Sequence, residues 1–178
     1  MDKGVDVFDR VIARLAAGEG EESLSGTARS STAISHGTLV VNLAPAAIGA
    51  AAGSLKSEFG FDIFLDVTAV DWPGQELRFE VVWHFYSTKD KVRVRLKTRV
   101  PESNPTVVSL TGLYGSAAFM ERECHEMYGI GFEGNSDLRP ILLYEGFVGH
   151  PLRKDYPKER EQPLVAYRDH DVGERAGK

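Results

Sequence analysis

Positions 121 to 126 read Glu-Arg-Glu-Cys-His-Glu, a run in which every residue but Arg122 can ligate a metal or carry a proton. A zinc site needs three or four such ligands converging on one point. On a helix, however, neighbours such as Cys124 and His125 project about 100° apart. The run therefore reads as a buried thiol and a satisfied histidine rather than as a metal centre. Glu121 and His125 are four residues apart, as are Arg122 and Glu126, so each pair can meet on one helical face for a few tenths of a kcal/mol. A sharper reading pins Glu121, Arg122 and Glu123 against arginines further along the chain, Arg139 and Arg153. A long tail must find partners for its backbone groups if it is to be ordered at all. The other histidines, His36, His84, His150 and His170, are scattered with no serine or cysteine nucleophile motif near them, and no hydrolase triad emerges. Neither a GxGxxG turn after a strand nor a GxxxxGK[ST] loop occurs, so nucleotide binding through those folds is not expected.

A second charged feature is the stretch KVRVRLKTRV, in which Lys91, Arg93, Arg95, Lys97 and Arg99 fall on one face of a strand. Such a stripe could be a nucleic-acid footprint. The chain carries a formal net charge of −5, and the stripe has no exposed aromatics interleaved for base stacking. A solvated face balanced by neighbours such as Glu80, or a dock for an acidic protein, fits better.

These groups are positioned by a chain of 178 residues, 42% of them hydrophobic, enough for one ordinary core and too short for two comfortable domains. One cysteine excludes an intrachain disulfide and a cluster held by four cysteines of this chain. The start lacks the basic, apolar pattern of a secretory signal, and no stretch approaches the roughly 18 apolar residues of a membrane span, so a soluble cytoplasmic chain is expected. Val5, Phe8, Ile12 and Leu15 predict an amphipathic helix over residues 4 to 17. Residues 18 to 37 are small and polar and read as a loop. TLVVNL reads as a strand, Pro45 opens a helix that runs to Phe59, and FDIFLDVTAVDW reads as a central strand. Leu77 to Phe85 and Val92 to Leu96 alternate and predict a hairpin. With Ser87 to Asp90 as its loop, Trp83 faces Val94, Val81 faces Leu96 and Glu80 faces Lys97. A helix follows over Gly115 to Tyr128, and then a glycine- and proline-punctuated tail. The expected fold is α+β, a mainly antiparallel or mixed sheet with flanking helices. It comprises a domain over residues 1–130, with the polar loop at 18–37, and a long extended partner-binding arm over 131–178.

The segment ERECHEMY, with Glu121, Arg122, Glu123, Glu126, Met127 and Tyr128 in register, resembles the signature of the 30-kDa subunit family, the C-type subunits of NADH-quinone oxidoreductase (respiratory complex I). FDIFLDVTAVDW, the RVP that closes the second hairpin strand, and GHPLRKDYP extend the resemblance over more than half the chain. Asn135, Ser136 and Pro140 depart from the family pattern GHPDLRR, and His125 stands where an aromatic is usual. The resemblance implies a structural and assembly subunit of the peripheral arm of a proton-translocating complex, resting on the cytoplasmic side of the inner (plasma) membrane and touching it only through the complex. It implies no catalytic, metal or cofactor site in this chain. NAD, FMN, iron–sulfur clusters and quinone belong to other subunits. The implied partners are the large quinone-site (D-type) subunit and the cluster-carrying B-type and I-type subunits, with no nucleic acid. The implied interface comprises Glu121, Arg122, Glu123, Glu126, Arg139, His150, Arg153, Lys154 and Asp155. Two other readings stand beside it: an equivalent scaffold in a membrane-bound hydrogenase or other donor-fed relative, and an RNA-binding module using residues 91–99.

Overall fold

The computed structural model describes residues 3–18 and 31–159. Helix α1 (Lys3–Gly18) is followed by strands β1 (Ser31–Ser35) and β2 (Thr38–Asn42), a 3-10 turn at Pro45–Ala47 and helix α2 (Ile48–Ser57). Strands β3 (Ile63–Asp71), β4 (Phe79–Ser87) and β5 (Val92–Val100) come next, then β6 (Thr106–Val108), α3 (Ala117–Tyr128) and β7 (Gly131–Glu133). The fold is α+β, built on a mixed five-stranded sheet in the order β1-β2-β5-β4-β3, with a two-stranded parallel pair, β6-β7, beside it.

Alternation decides which face is core. Phe79, Val81, Trp83 and Phe85 of β4 and Val92, Val94 and Leu96 of β5 point to one side and join Leu39 and Val41 of β2. Onto that layer α1 brings Val7, Phe8, Val11 and Leu15, and α2 brings Ile48, Ala51, Ala52 and Leu55. At about 1.5–3 kcal/mol for each fully buried large apolar side chain, this single layer dominates the stability of the domain. The α1 stripe agrees with the sequence reading at Phe8, Ile12 and Leu15, while the Val5 side chain lies outside the described residues.

Four expectations change. FDIFLDVTAVDW forms β3 at an edge, not the centre, because β5 sits between β2 and β4. Its apolar character is explained by α3, which packs along it. The hairpin keeps its predicted faces but shifts by two residues, so that Trp83 faces Leu96 and Phe85 faces Val94. The reason is the loop, which is Thr88 to Lys91, with Lys91 at φ 57. Glu80 consequently faces Arg99, yet Lys97 still reaches it diagonally as an ion pair. Within the expected polar loop, Ser31–Ser35 forms a wholly exposed edge strand on β2. The turn His36-Gly37, with φ of 50 and 72, is the two-residue positive-φ hairpin turn that marks it. Residues 19–30 of that loop lie outside the described residues. The helix expected from Gly115 begins at Ala117, after turns that place Tyr114 in the core.

Candidate functional site: the α3 motif and its C-terminal brace

Glu121 is fully buried. Its carboxylate accepts hydrogen bonds from the Leu110 amide (2.7 Å), the Ser109 hydroxyl (2.8 Å) and the Asn135 side-chain amide (2.9 Å). Burial pushes its pKa above the usual carboxylate range, and the three donors act in the opposite sense. Short strands β6 and β7 make this possible by bringing residue 109 and residue 135 to the same side of α3. Asn135, a departure from the family pattern, is thus a hydrogen-bond donor to the motif's first glutamate.

Arg122 and Glu126 hold backbone. Arg122 donates to the carbonyls of Arg139 (2.9 Å) and Pro140 (3.0 Å). Glu126, also buried, accepts from three successive amides, Ile141 (3.3 Å), Leu142 (2.9 Å) and Leu143 (2.8 Å). Donor and acceptor one helical turn apart therefore fix the chain at 139–143 by its main chain, whatever its side chains. This replaces the expected carboxylate–arginine pairs. Arg139 is spent on Asp137 at 2.8 Å, and Arg153 on a helix carbonyl, so neither meets Glu121 or Glu123. An isolated surface ion pair contributes little, whereas backbone amides inside a fold must be satisfied, and that difference decides the outcome. Glu123 is exposed.

The end of α3 explains GHPLR. The last carbonyls of any helix lack intrahelical partners. Here His125 oxygen accepts from the Gly129 amide (2.7 Å), Glu126 oxygen from His150 Nδ1 (2.9 Å), Met127 oxygen from the Leu152 amide (3.1 Å) and Tyr128 oxygen from Arg153 Nε (2.6 Å). Residues 150–153 are therefore the C-terminal cap of the signature helix, supplied from more than 20 residues away in the chain. His125 Nδ1 donates to Ile130 oxygen at 2.8 Å and its ring meets His150 edge-on, a role that an aromatic ring without a nitrogen could not fill. His150 is held below the ordinary imidazole pKa, first by burial. Protonation is thus disfavoured in the folded state, and the cap should weaken as pH falls below the ordinary 6.5.

Gly129 sits at φ 74, and a Cβ there would stand 2.6 Å from His150 Nε2 and against the Arg153 guanidinium. Gly129→Ala is therefore expected to cost at least about 1 kcal/mol for the left-handed backbone alone. It should also lift residues 150–153 off the helix. Thermal unfolding with limited proteolysis of the 140–156 region checks this, and an unaltered digestion pattern would contradict the cap assignment.

Beyond the cap, the chain is clamped to the sheet. Arg78 is buried and uses all its donors. Nε and Nη2 go to Asp71 (2.7 and 2.8 Å), Nη1 goes to Glu102 (2.7 Å), and both Nη atoms reach Asp155 (3.0 and 2.9 Å). Asp71 also accepts the Lys154 amide at 2.7 Å. The Arg78 and Arg153 guanidiniums lie over the Phe79 ring, at 5.1 and 4.9 Å. Asp71 and Arg78 belong to this site although the sequence reading did not single them out. The available signal was a charged pair flanking the β3–β4 turn next to otherwise apolar strands. Lys154 is left exposed with its amide fixed, Asp155 is exposed with its carboxylate held by Arg78, and Cys124 is buried beside β3.

Fold and site together define an α+β domain whose charged helix motif is consumed in holding its own C-terminal segment. The family model described as respiratory-chain NADH dehydrogenase, 30 Kd subunit, matches residues 41–162, and the chain belongs to that family. The C-type subunit of the NADH-quinone oxidoreductase of Agrobacterium fabrum is 45% identical over 126 residues, 70% of this chain and 62% of its own length. Its counterpart in Xanthobacter autotrophicus is 42% identical over 137 residues, 76% of this chain and 65% of its own length. The chain thus spans somewhat under two thirds of these relatives. Among solved structures, a trypsin-resistant fragment of Nqo5 superposes with a TM-score of 0.62 at 27% identity, covering 74% of this chain and 99% of that one. A chain of the membrane-bound sulfane sulfur reductase, an archaeal respiratory membrane complex, superposes with a TM-score of 0.69 at 22% identity, covering 85% of this chain and 86% of that one, and shares the fold.

Proposed function

We propose that this chain is a structural subunit, without a cofactor of its own, of the peripheral arm of a proton-translocating NADH-quinone oxidoreductase. It docks on the large quinone-site subunit through residues 131–178 and steadies the cluster-carrying subunits beside it, on the cytoplasmic side of the membrane. Family membership supports the assembly. The observation that carries the role is the brace itself. Glu121, Arg122, Glu126, His150 and Arg153 spend their polar atoms inside the chain, so what they offer a partner is a rigid platform. Arg139, Lys154 and Asp155 are exposed on that platform, and preorganised contacts bind at lower entropic cost. No helix among the described residues is long and apolar enough to cross a membrane.

The test is affinity purification of the tagged chain from gently solubilised native membranes, with co-purifying subunits identified and NADH oxidation measured. A multi-subunit, cluster-containing complex is expected, and recovery of the chain alone or with RNA would overturn the proposal. Lys154→Glu is the clean interface variant, since its ammonium is exposed while Arg153 is needed for the helix cap. Co-purification should fall while the stability of the isolated chain stays within about 0.5 kcal/mol. Undiminished co-purification would remove Lys154 from the interface.

A further inference from the structure

The face of the five-stranded sheet opposite the core is a surface that the brace does not use. Along β5, Arg93, Arg95, Lys97 and Arg99 project from it, flanked by His84 and Tyr86 of β4, and all six are partly or fully exposed. The cations are not equivalent. Lys97 and Arg99 converge on Glu80, which also accepts the Trp72 indole N–H at 3.1 Å. Arg93 and Arg95 make no ion pair among the described residues. Arg95 lies between Val40 on β2 and His84 on β4, and its Nε–H is shielded from water and meets no acceptor among the described residues. Arg95 as a whole is only partly exposed, so a carboxylate arriving at the part of its side chain still open to solvent gains more than at a fully hydrated cation, because part of the desolvation is already spent.

We infer that the outer face of the sheet, centred on Arg93 and Arg95, is a second docking surface that takes an acidic segment of a partner protein, separate from the platform at 139–155 and independent of the function proposed for it. The chemistry of the face selects a protein over a nucleic acid. The rings that could stack bases are capped by cations of this chain: Arg93 lies over Tyr86 at 5.7 Å and Arg99 over Trp72 at 5.4 Å. The chain is acidic overall, at −5, so a polyanion reaching past the patch is repelled, whereas a short acidic segment is not. Around the cations lie partly exposed apolar side chains, Ile63 and Val70 at 38% and Trp72 at 40%, the mixture of aromatic, aliphatic and arginine groups that makes protein interfaces. His84, in the middle, faces Asp66 on β3 and Arg93, Arg95 and Lys97 on β5. Burial first, and then those cations against the opposing pull of Asp66, hold its pKa below the ordinary 6.5. A carboxylate docked on Arg95 reverses part of that field.

The experiment uses the purified full chain with three probes: a synthetic peptide alternating glutamate and leucine, a single-stranded RNA oligonucleotide of equal charge, and phosphatidylglycerol vesicles. The peptide is expected to bind most tightly and to weaken with added salt. Arg93→Glu and, separately, Arg95→Gln should lower its affinity about tenfold or more. Arg139→Glu, a charge change of the same kind on the distant platform, should leave it unchanged. Arg93 is exposed, so its substitution keeps the test valid if Arg95→Gln perturbs the sheet. In the complex the His84 imidazole should titrate at higher pH than in the free chain. Tighter binding of RNA or vesicles, peptide affinity indifferent to Arg93→Glu, or equal loss in Arg139→Glu would each overturn the inference. None of these outcomes touches the Lys154 test, so the two docking surfaces stand or fall separately.

Discussion

Arg78→Met is expected to destabilise the domain by about 3–5 kcal/mol, the range seen when one partner of a buried ion pair is removed. The substitution leaves the side chain of Asp71, which has no exposed surface, as an uncompensated carboxylate. It also releases Asp155 and Glu102 from the same guanidinium. The pH dependence supplies a second signature. In the parent chain the hydrogen bonds from Arg78, followed by that of the Lys154 amide, hold Asp71 below its ordinary 3.8. A depressed carboxylate contributes stability that is present above the unfolded value and lost as pH falls through the folded one. With Arg78 gone, burial is opposed only by the weaker contacts, the folded value rises, and the variant should instead gain stability as pH is lowered. Chemical denaturation of parent and variant across the acid range would show opposite slopes. Parallel slopes would mean that Arg78 does not govern the titration of Asp71. Asp71→Asn should cost less, because it keeps an acceptor for the Lys154 amide and removes the stranded charge.

Glu121→Ala is expected to cost about 3 kcal/mol, from a lost side chain in a closed site and from donors left unpaired. The Leu110 amide cannot turn elsewhere, while the Ser109 hydroxyl can rotate to Thr111, 2.8 Å away. Glu121→Gln should cost less than alanine because one acceptor oxygen remains. The sign of the pH effect is opposite to that of Asp71. Burial raises the pKa of Glu121 above its ordinary 4.5, so its contribution is fully present below that value and is lost as pH rises through the folded one. The glutamine variant should lack this decline. Equal pH profiles for parent and glutamine variant would show that Glu121 keeps its charge without penalty, so that burial does not govern its titration.

Much of this site was legible in its residue types and little of it in its partners. The run at 121–126 announces an organised helix, and Gly129 announces its end. The choice between side-chain ion pairs and backbone capture was not legible, because a carboxylate binds an arginine or an amide with the same atoms. Only position selects between them. Arg139 illustrates the point: Asp137, two residues away, reaches it without any loop to close, and Glu121 is turned inward toward residues 109 and 110. The hairpin register failed for a comparable reason. Alternation fixes the faces to the nearest even shift, and the positive φ at Lys91, which sets the loop, has no signal in that residue type.

By itself the sequence determined the α+β class, the buried faces of α1, β4 and β5, the helical turn that opens at Pro45 ahead of α2 and the stretch that carries the family signature. Each of these depends on periodicity or on a residue's own backbone limits, which are local properties. The tertiary structure alone decided that β3 lies at an edge, that a polar pentapeptide completes the sheet, that residues 150–153 cap a helix that ended more than 20 residues earlier, and that Arg78 gathers three carboxylates from three separate segments. These are long-range pairings, in which the sequence names groups able to bond but the closure of the chain between them chooses which ones meet.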